Sequence, residues 1–167
     1  MFNIVDEIKN FDVALLEATI DDVKHNTEVC TGANAGGSFL GGKLWKFYGY
    51  MLFDKRNLFA AGMYILHEQL GYFDNIRKRI KIEHGIKGSL TPEQEIKYFL
   101  PDETLGVLTE SFYQDTHCCC GSIYSLYESG YLLPLLERFL QDILSAQAGN
   151  AIYDYPVIPL ETLRKYW

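Results

Sequence analysis

The feature that most constrains this chain is the stretch from Leu44 to Leu70. Leu44, Phe47, Tyr48, Met51 and Leu52 recur at helical spacing and make one apolar stripe. Asp54, Lys55, Arg56 and Asn57 then break the pattern with a polar turn. Phe59, Met63, Leu66, Leu70 and Phe73 resume it, widened by Leu58, Ile65 and Tyr72. An amphipathic helix of this length is not stable alone in water. Both stripes must bury against each other or against neighbours, so the pair is the expected centre of the core.

Similar periodicity covers most of the remaining chain. Residues 3–24 read as helix, with Ile4, Ile8, Phe11, Leu15 and Ala18 on one stripe and Val13, Leu16, Ile20 and Val23 on a second. Asp12 is also a fitting N-cap for a helix that begins there. Helical period continues through Phe73, Ile76 and Ile80, where Arg77, Lys78, Arg79 and Lys81 crowd the polar side and Gly85 supplies a C-cap. Thr91-Pro92-Glu93-Gln94 is a capping box with proline at the first helical position. Pro101 ends that helix, and Asp102 is read as the cap of the next, with Leu105, Leu108 and Phe112 inside. Residues 122–147 repeat the hairpin, turning at Ser129-Gly130. Pro134 is tolerable only in a first turn, which starts the second helix near Tyr131 or Leu132. The tail is extended around Pro156 and Pro159 and closes with a short helix holding Leu160, Leu163 and Trp167. The expectation is an all-α fold of antiparallel helical hairpins, one domain over residues 1–167.

Two motifs carry possible chemistry, and both are weak on spacing. The glycine-rich segment 31–42 lacks the GxxxxGK[ST] pattern of a phosphate cradle, so it reads as a connection. His117-Cys118-Cys119-Cys120 offers zinc ligands, but adjacent cysteines do not turn easily to one ion, and only Cys30 lies elsewhere. A Cys–His nucleophile with His117 or His67 has nothing to fix its geometry. The three cysteines are expected to be reduced and structural, with no metal and no cofactor.

Aromatics are plentiful, with 12 Tyr, 10 Phe and 2 Trp, and some of the tyrosines must lie at the surface, where they favour protein recognition, although any single one reads first as ordinary core edge. No stretch approaches the roughly 18 charge-free apolar residues of a membrane span. The N-terminus MFNIVDEIKNF is not a secretory leader, and the cysteine pattern is not a disulfide framework. A reducing, cytoplasmic setting follows as the expectation. The net charge is −7. Residues 1–42 contribute −5 from 2 bases and 7 acids, residues 43–97 contribute +4 from 10 and 6, and residues 98–167 contribute −6 from 3 and 9. Acidic ends around a mildly basic middle do not make a nucleic-acid binder and suit a basic partner instead.

Two resemblances add to this reading. With Trp45, Gly49 and Ala61 at matching positions, the central hairpin resembles a tetratricopeptide repeat unit over about 30 residues. Leu52 stands where that family usually has Tyr, and no proline follows at the expected end. In size, acidic charge and lack of catalytic motifs, the whole chain looks like the immunity proteins of bacterial contact-dependent growth inhibition and related toxin systems. That resemblance implies a non-enzymatic cytosolic inhibitor of a basic toxin domain, with a nuclease as the expected class and no membrane or nucleic-acid partner. The expected contacts are acidic and tyrosine side chains near the C-terminal hairpins: Asp102, Glu103, Glu110, Asp115, Glu128, Tyr131, Asp154 and Tyr155. The alternative is a helical scaffold that binds a peptide or regulatory protein in a groove. An enzyme is disfavoured, because no carboxylate pair, triad or metal spacing stands out.

Overall fold

Asn3 and Asp12 split the first helical stretch in two. Asn3 Oδ1 accepts the Val5 N–H at 2.9 Å and opens α1, Ile4–Lys9. Asp12 Oδ1 accepts the Leu15 N–H at 3.1 Å and opens α2, Val13–His25. The single helix expected over residues 3–24 is therefore a pair, because each segment carries its own cap. The fold is a computed structural model, which describes residues 2–25, 42–71, 73–117, 122–150 and 153–167. Cys30, Cys118, Cys119, Cys120, Tyr72 and all but Gly42 of the glycine-rich segment lie outside the described residues.

The central stretch is helical on both sides of its turn. Helix α3, Gly42–Gly49, runs on as a π-helical turn over Tyr50–Asp54. Lys55 then leaves helical geometry, with φ −116° and ψ 37°. Helix α4, Arg56–Tyr64, runs on as a second π-helical turn over Ile65–Leu70. Leu44, Phe47, Tyr48, Met51, Phe59, Met63 and Leu66 are all buried, as their spacing requires. The two halves serve different neighbours, however. Helix α3 lies along α2, and α4 lies chiefly along a later helix, Pro101–His117. Of the three repeat-like positions, Ala61 is buried, Trp45 is 55% exposed, and a side chain at Gly49 would meet open space.

The later elements are α5 (Phe73–Glu83), α6 (Pro92–Lys97), α7 (Pro101–His117), α8 (Ser122–Glu128), α9 (Leu132–Gln147) and α10 (Leu160–Leu163), which tightens into a 3₁₀ turn over Arg164–Tyr166. Thr91 and Gln94 form the capping box that the sequence implies. The start of α7 differs from expectation. Pro101 is its first residue, so Leu100 precedes the helix and Asp102 lies inside it rather than at its cap. Glu103 does the capping instead, accepting the Leu100 N–H at 2.7 Å. Gly85 and Gly130 close α5 and α8 with φ of +63° and +83°, where L-residues are strained.

The long helices α7 and α9 run through the centre, with α1, α2 and α4 packed about them. Buried apolar side chains form one cluster from Phe2 to Leu163. Among the described residues there is no strand, only an isolated antiparallel bridge between Phe2 and Ile158 that joins the two ends of the chain. No helix among the described residues is long and apolar enough to cross a membrane. In the tail, Leu163 is buried, whereas Leu160 and Trp167 are 40% and 51% exposed. Trp167 rests on the surface of α4 instead, donating to Asn57 Oδ1 at 3.1 Å under the Arg56 guanidinium at 3.9 Å.

Candidate functional site

The basic helix α5 turns two of its four charges inward. Arg79 forms a forked pair with Glu103, Nε to Oε2 at 3.0 Å and Nη2 to Oε1 at 2.5 Å, and also binds Glu83 at 2.5 Å. Glu103 is 1% exposed. Burial raises its pKa, against the opposing effects of the Leu100 N–H and Arg79. Helix α5 is therefore stitched to α7 by its own arginine and is not a free cationic face. Lys78 and Lys81 are the two charges it leaves outside.

Two residues earlier, Arg77 builds the wall of a cleft. Its Nε meets Glu95 Oε1 at 2.9 Å, and its Nη2 donates to the Tyr131 hydroxyl at 2.5 Å. Tyr131 in turn donates to Glu95 Oε2. The guanidinium lies over the rings of Phe73 and Tyr131, at 4.8 and 5.1 Å. Burial works against the Arg77 charge, but the bonds to Tyr131 and Glu95 outweigh it, so its pKa is raised. Burial, and then the bond to Glu95, raise the Tyr131 hydroxyl. Arg77, Glu95, Tyr131, Lys81, Ser89 and Leu90 surround an open cleft of about 220 Å³. Its polar groups are held in place by one another, which is the condition for recognition without reorganisation.

The eight expected partner contacts do not come together on one face. Asp102, Glu103, Asp115, Tyr131 and Tyr155 are buried. The Glu110 side chain is 13% exposed and is gripped by His67 at 2.6 Å and Gln114 at 2.6 Å. Only Glu128 and Asp154 are exposed. The physical reason is that these carboxylates find donors inside. Asp102 accepts the Glu103 N–H, Asp115 accepts the Ile123 N–H, and Glu103 has Arg79. Asp102 also partners Tyr153, whose hydroxyl pKa is raised by burial and by that bond. Burial, with Asp142 and Asp102 nearby, raises Tyr155.

This changes what the net charge means. Among the described residues, exposed acids and exposed bases are nearly equal in number, and much of the acidic excess is internal. What stays outside is unevenly spread, with acids outnumbering bases on the first two helices and bases outnumbering acids around α5, where Asp74 and Glu83 are also exposed. Asp6, Asp12, Glu17 and Asp21 face outward from the first two helices, and Lys78, Lys81 and Lys87 face outward around α5. The sequence points to acidic contacts at the C-terminal hairpins, and the outward acids of the N-terminal helices show in it only as part of the charge of residues 1–42. Arg77 and Lys81 lie one turn apart on α5, but no spacing signal links them to Glu95 or Tyr131, which they meet only through the fold.

His67 and Glu110 form a second polar contact on the π-helical turn, a geometry that recurs at functional sites. The His67 ring also stacks with Tyr166, with centroids 6.3 Å apart. Among the described residues no group of three or more His, Cys, Asp or Glu side chains is placed to hold a metal ion. The expected roles of the cysteines fall outside the described residues. Comparison with protein-family models, curated proteins and solved structures finds no match to this chain.

Proposed function

We propose that the chain is a protein-binding inhibitor of the immunity type, acting in the cytoplasm by covering the active site or substrate surface of a basic toxin domain, with a nuclease as the leading partner class. The support is the outward acidic face of α1 and α2, where Glu17 and Asp21 lie one helical turn apart. Asp21 is met by His25 at 3.1 Å and Lys24 is drawn off by Glu137 on α9 at 3.0 Å, so Glu17 has no salt bridge among the described residues. A polyanion-binding enzyme is basic where its substrate lies, so an inhibitor with an acidic face gains steering and complementarity. The contact surface in this reading is α1–α2, with Glu128 and Asp154 the only outward members of the C-terminal set.

The test is capture of a partner from the source cells by the tagged chain at low salt, compared with a Glu17→Lys, Asp21→Lys double variant. The proposal expects one small basic protein retained by the wild type and lost from the variant. A second reading, a helical scaffold for a peptide, is favoured by a different observation, the cleft beside Arg77 and Tyr131.

A further inference from the structure

The wall of that cleft is internally neutral before any ligand arrives. Glu95 commits one oxygen to Arg77 and the other to the Tyr131 hydroxyl. Asp74 also touches Arg77, at 3.4 Å, but its side chain is 76% exposed and water screens the pair. Lys81, one turn along α5 from Arg77, lines the same cleft, is exposed, and has no salt bridge among the described residues. Among the side chains that line the cleft, Lys81 is the base without a salt bridge, and Lys87, also exposed, lies outside the lining.

The rest of the lining adds neutral donors and an apolar patch. Residues 86–90 leave the helix, and the backbone N–H groups of Ser89 and Leu90, the two that line the cleft, donate to no protein acceptor among the described residues. The Ser89 side chain adds a hydroxyl, and Leu90 with Ile80 supplies aliphatic surface. A volume of about 220 Å³ exceeds that of several water molecules, each about 30 Å³.

We propose that this cleft binds a single carboxylate carried on a short apolar stem, with Lys81 and the Ser89–Leu90 rim taking the carboxylate and Leu90 the stem. Such a group is presented by the C-terminus of a peptide or by a free short-chain carboxylic acid. A carboxylate fits better than a dianion, because Lys81 is the one uncommitted base in the lining and Glu95 stands behind it. A neutral amide would leave Lys81 without its charge-assisted bond. The proposal does not depend on the basic-partner reading, which rests on α1–α2 and on charge of the opposite sign.

The experiment is a nuclear magnetic resonance titration of the isotope-labelled full chain with N-acetyl-leucine, its amide, and isovalerate. Saturable shifts confined to residues around Arg77, Lys81, Ser89, Leu90 and Tyr131 are expected. The amide should bind about tenfold more weakly, the scale of one lost charge-assisted contact. Lys81→Ala should weaken N-acetyl-leucine by a similar factor with the rest of the spectrum unchanged, and Lys81→Arg should keep binding. Isovalerate equal to N-acetyl-leucine assigns the site to free acids, and isovalerate clearly weaker assigns it to peptide termini. Shifts that never saturate or that scatter over the surface, acid and amide binding alike, or indifference to Lys81→Ala would overturn the proposal.

Discussion

Gly62 and Thr109 meet where no side chain can fit between them. A Cβ added at Gly62 would lie 2.4 Å from the Thr109 hydroxyl oxygen and 3.0 Å from the Leu105 carbonyl. Helices α4 and α7 approach this closely because glycine is the contact residue on one side and Gly106 follows on the other, with its own missing Cβ 3.3 Å from Leu66. Gly62→Ala should therefore destabilise the chain by about 2 kcal/mol, the cost of overpacking a filled core. Thr109→Ala in the same chain should recover part of that loss. Chemical denaturation of the two single variants and the double reads both effects, and strictly additive losses would contradict the steric account.

Inward and outward carboxylates should behave differently when changed. Glu103→Ala leaves Arg79 without its forked partner and the Leu100 N–H without an acceptor, and the expected cost is about 3 kcal/mol. Glu128→Lys changes an exposed residue at the end of α8 and should stay within about 0.5 kcal/mol of wild type. Denaturation midpoints decide the matter, and equal effects at both positions would place Glu103 at the surface.

The tyrosines predict the alkaline limb of stability. Burial raises the hydroxyl pKa of Tyr50, Tyr131, Tyr153 and Tyr155, and Tyr166 is pushed up to about 12 by burial and its bond to Glu68. In the unfolded chain these groups ionise near ~10. The folded state keeps protons that the unfolded chain loses, so this stabilisation is complete below about pH 10 and is lost as pH rises through the folded values. Tyrosinate absorbance followed alongside helical circular dichroism should show a group of the 12 tyrosines ionising only as helix is lost. Ionisation of all of them before any loss of helix would contradict the burial described.

A smaller effect tests local signals. Thr91 caps α6 through the Gln94 N–H at 3.3 Å, and Thr91→Ala should cost about 1 kcal/mol in thermal or chemical denaturation. Thr91→Asp, which keeps an acceptor in place, should cost less.

The helices were legible because their signals are local. The Thr91 box, the Pro134 limit and the stripe Leu44–Phe47–Tyr48–Met51 each need only a few neighbouring residues, and each has its counterpart in the fold. Which helix pairs with which was not legible, since α4 chooses α7 through a glycine contact that periodicity does not encode. The candidate site was the least legible part. Asp102, Glu103 and Tyr131 look like surface groups in a linear reading, because a carboxylate's partner is written elsewhere: Arg79 for Glu103, Arg77 for Glu95. Net charge likewise reports how many acids there are and not which way they face.

The most direct test of the central claim is the association rate between this chain and a captured basic partner, measured over a salt series for the wild type and the Glu17→Lys, Asp21→Lys variant. Exposed charges are screened beyond a Debye length of about 8 Å at physiological salt. The account predicts a wild-type rate that falls steeply as salt rises, and a variant that is slow at low salt and nearly flat across the series. Rates for both that are equal and independent of salt would contradict an acidic α1–α2 docking face.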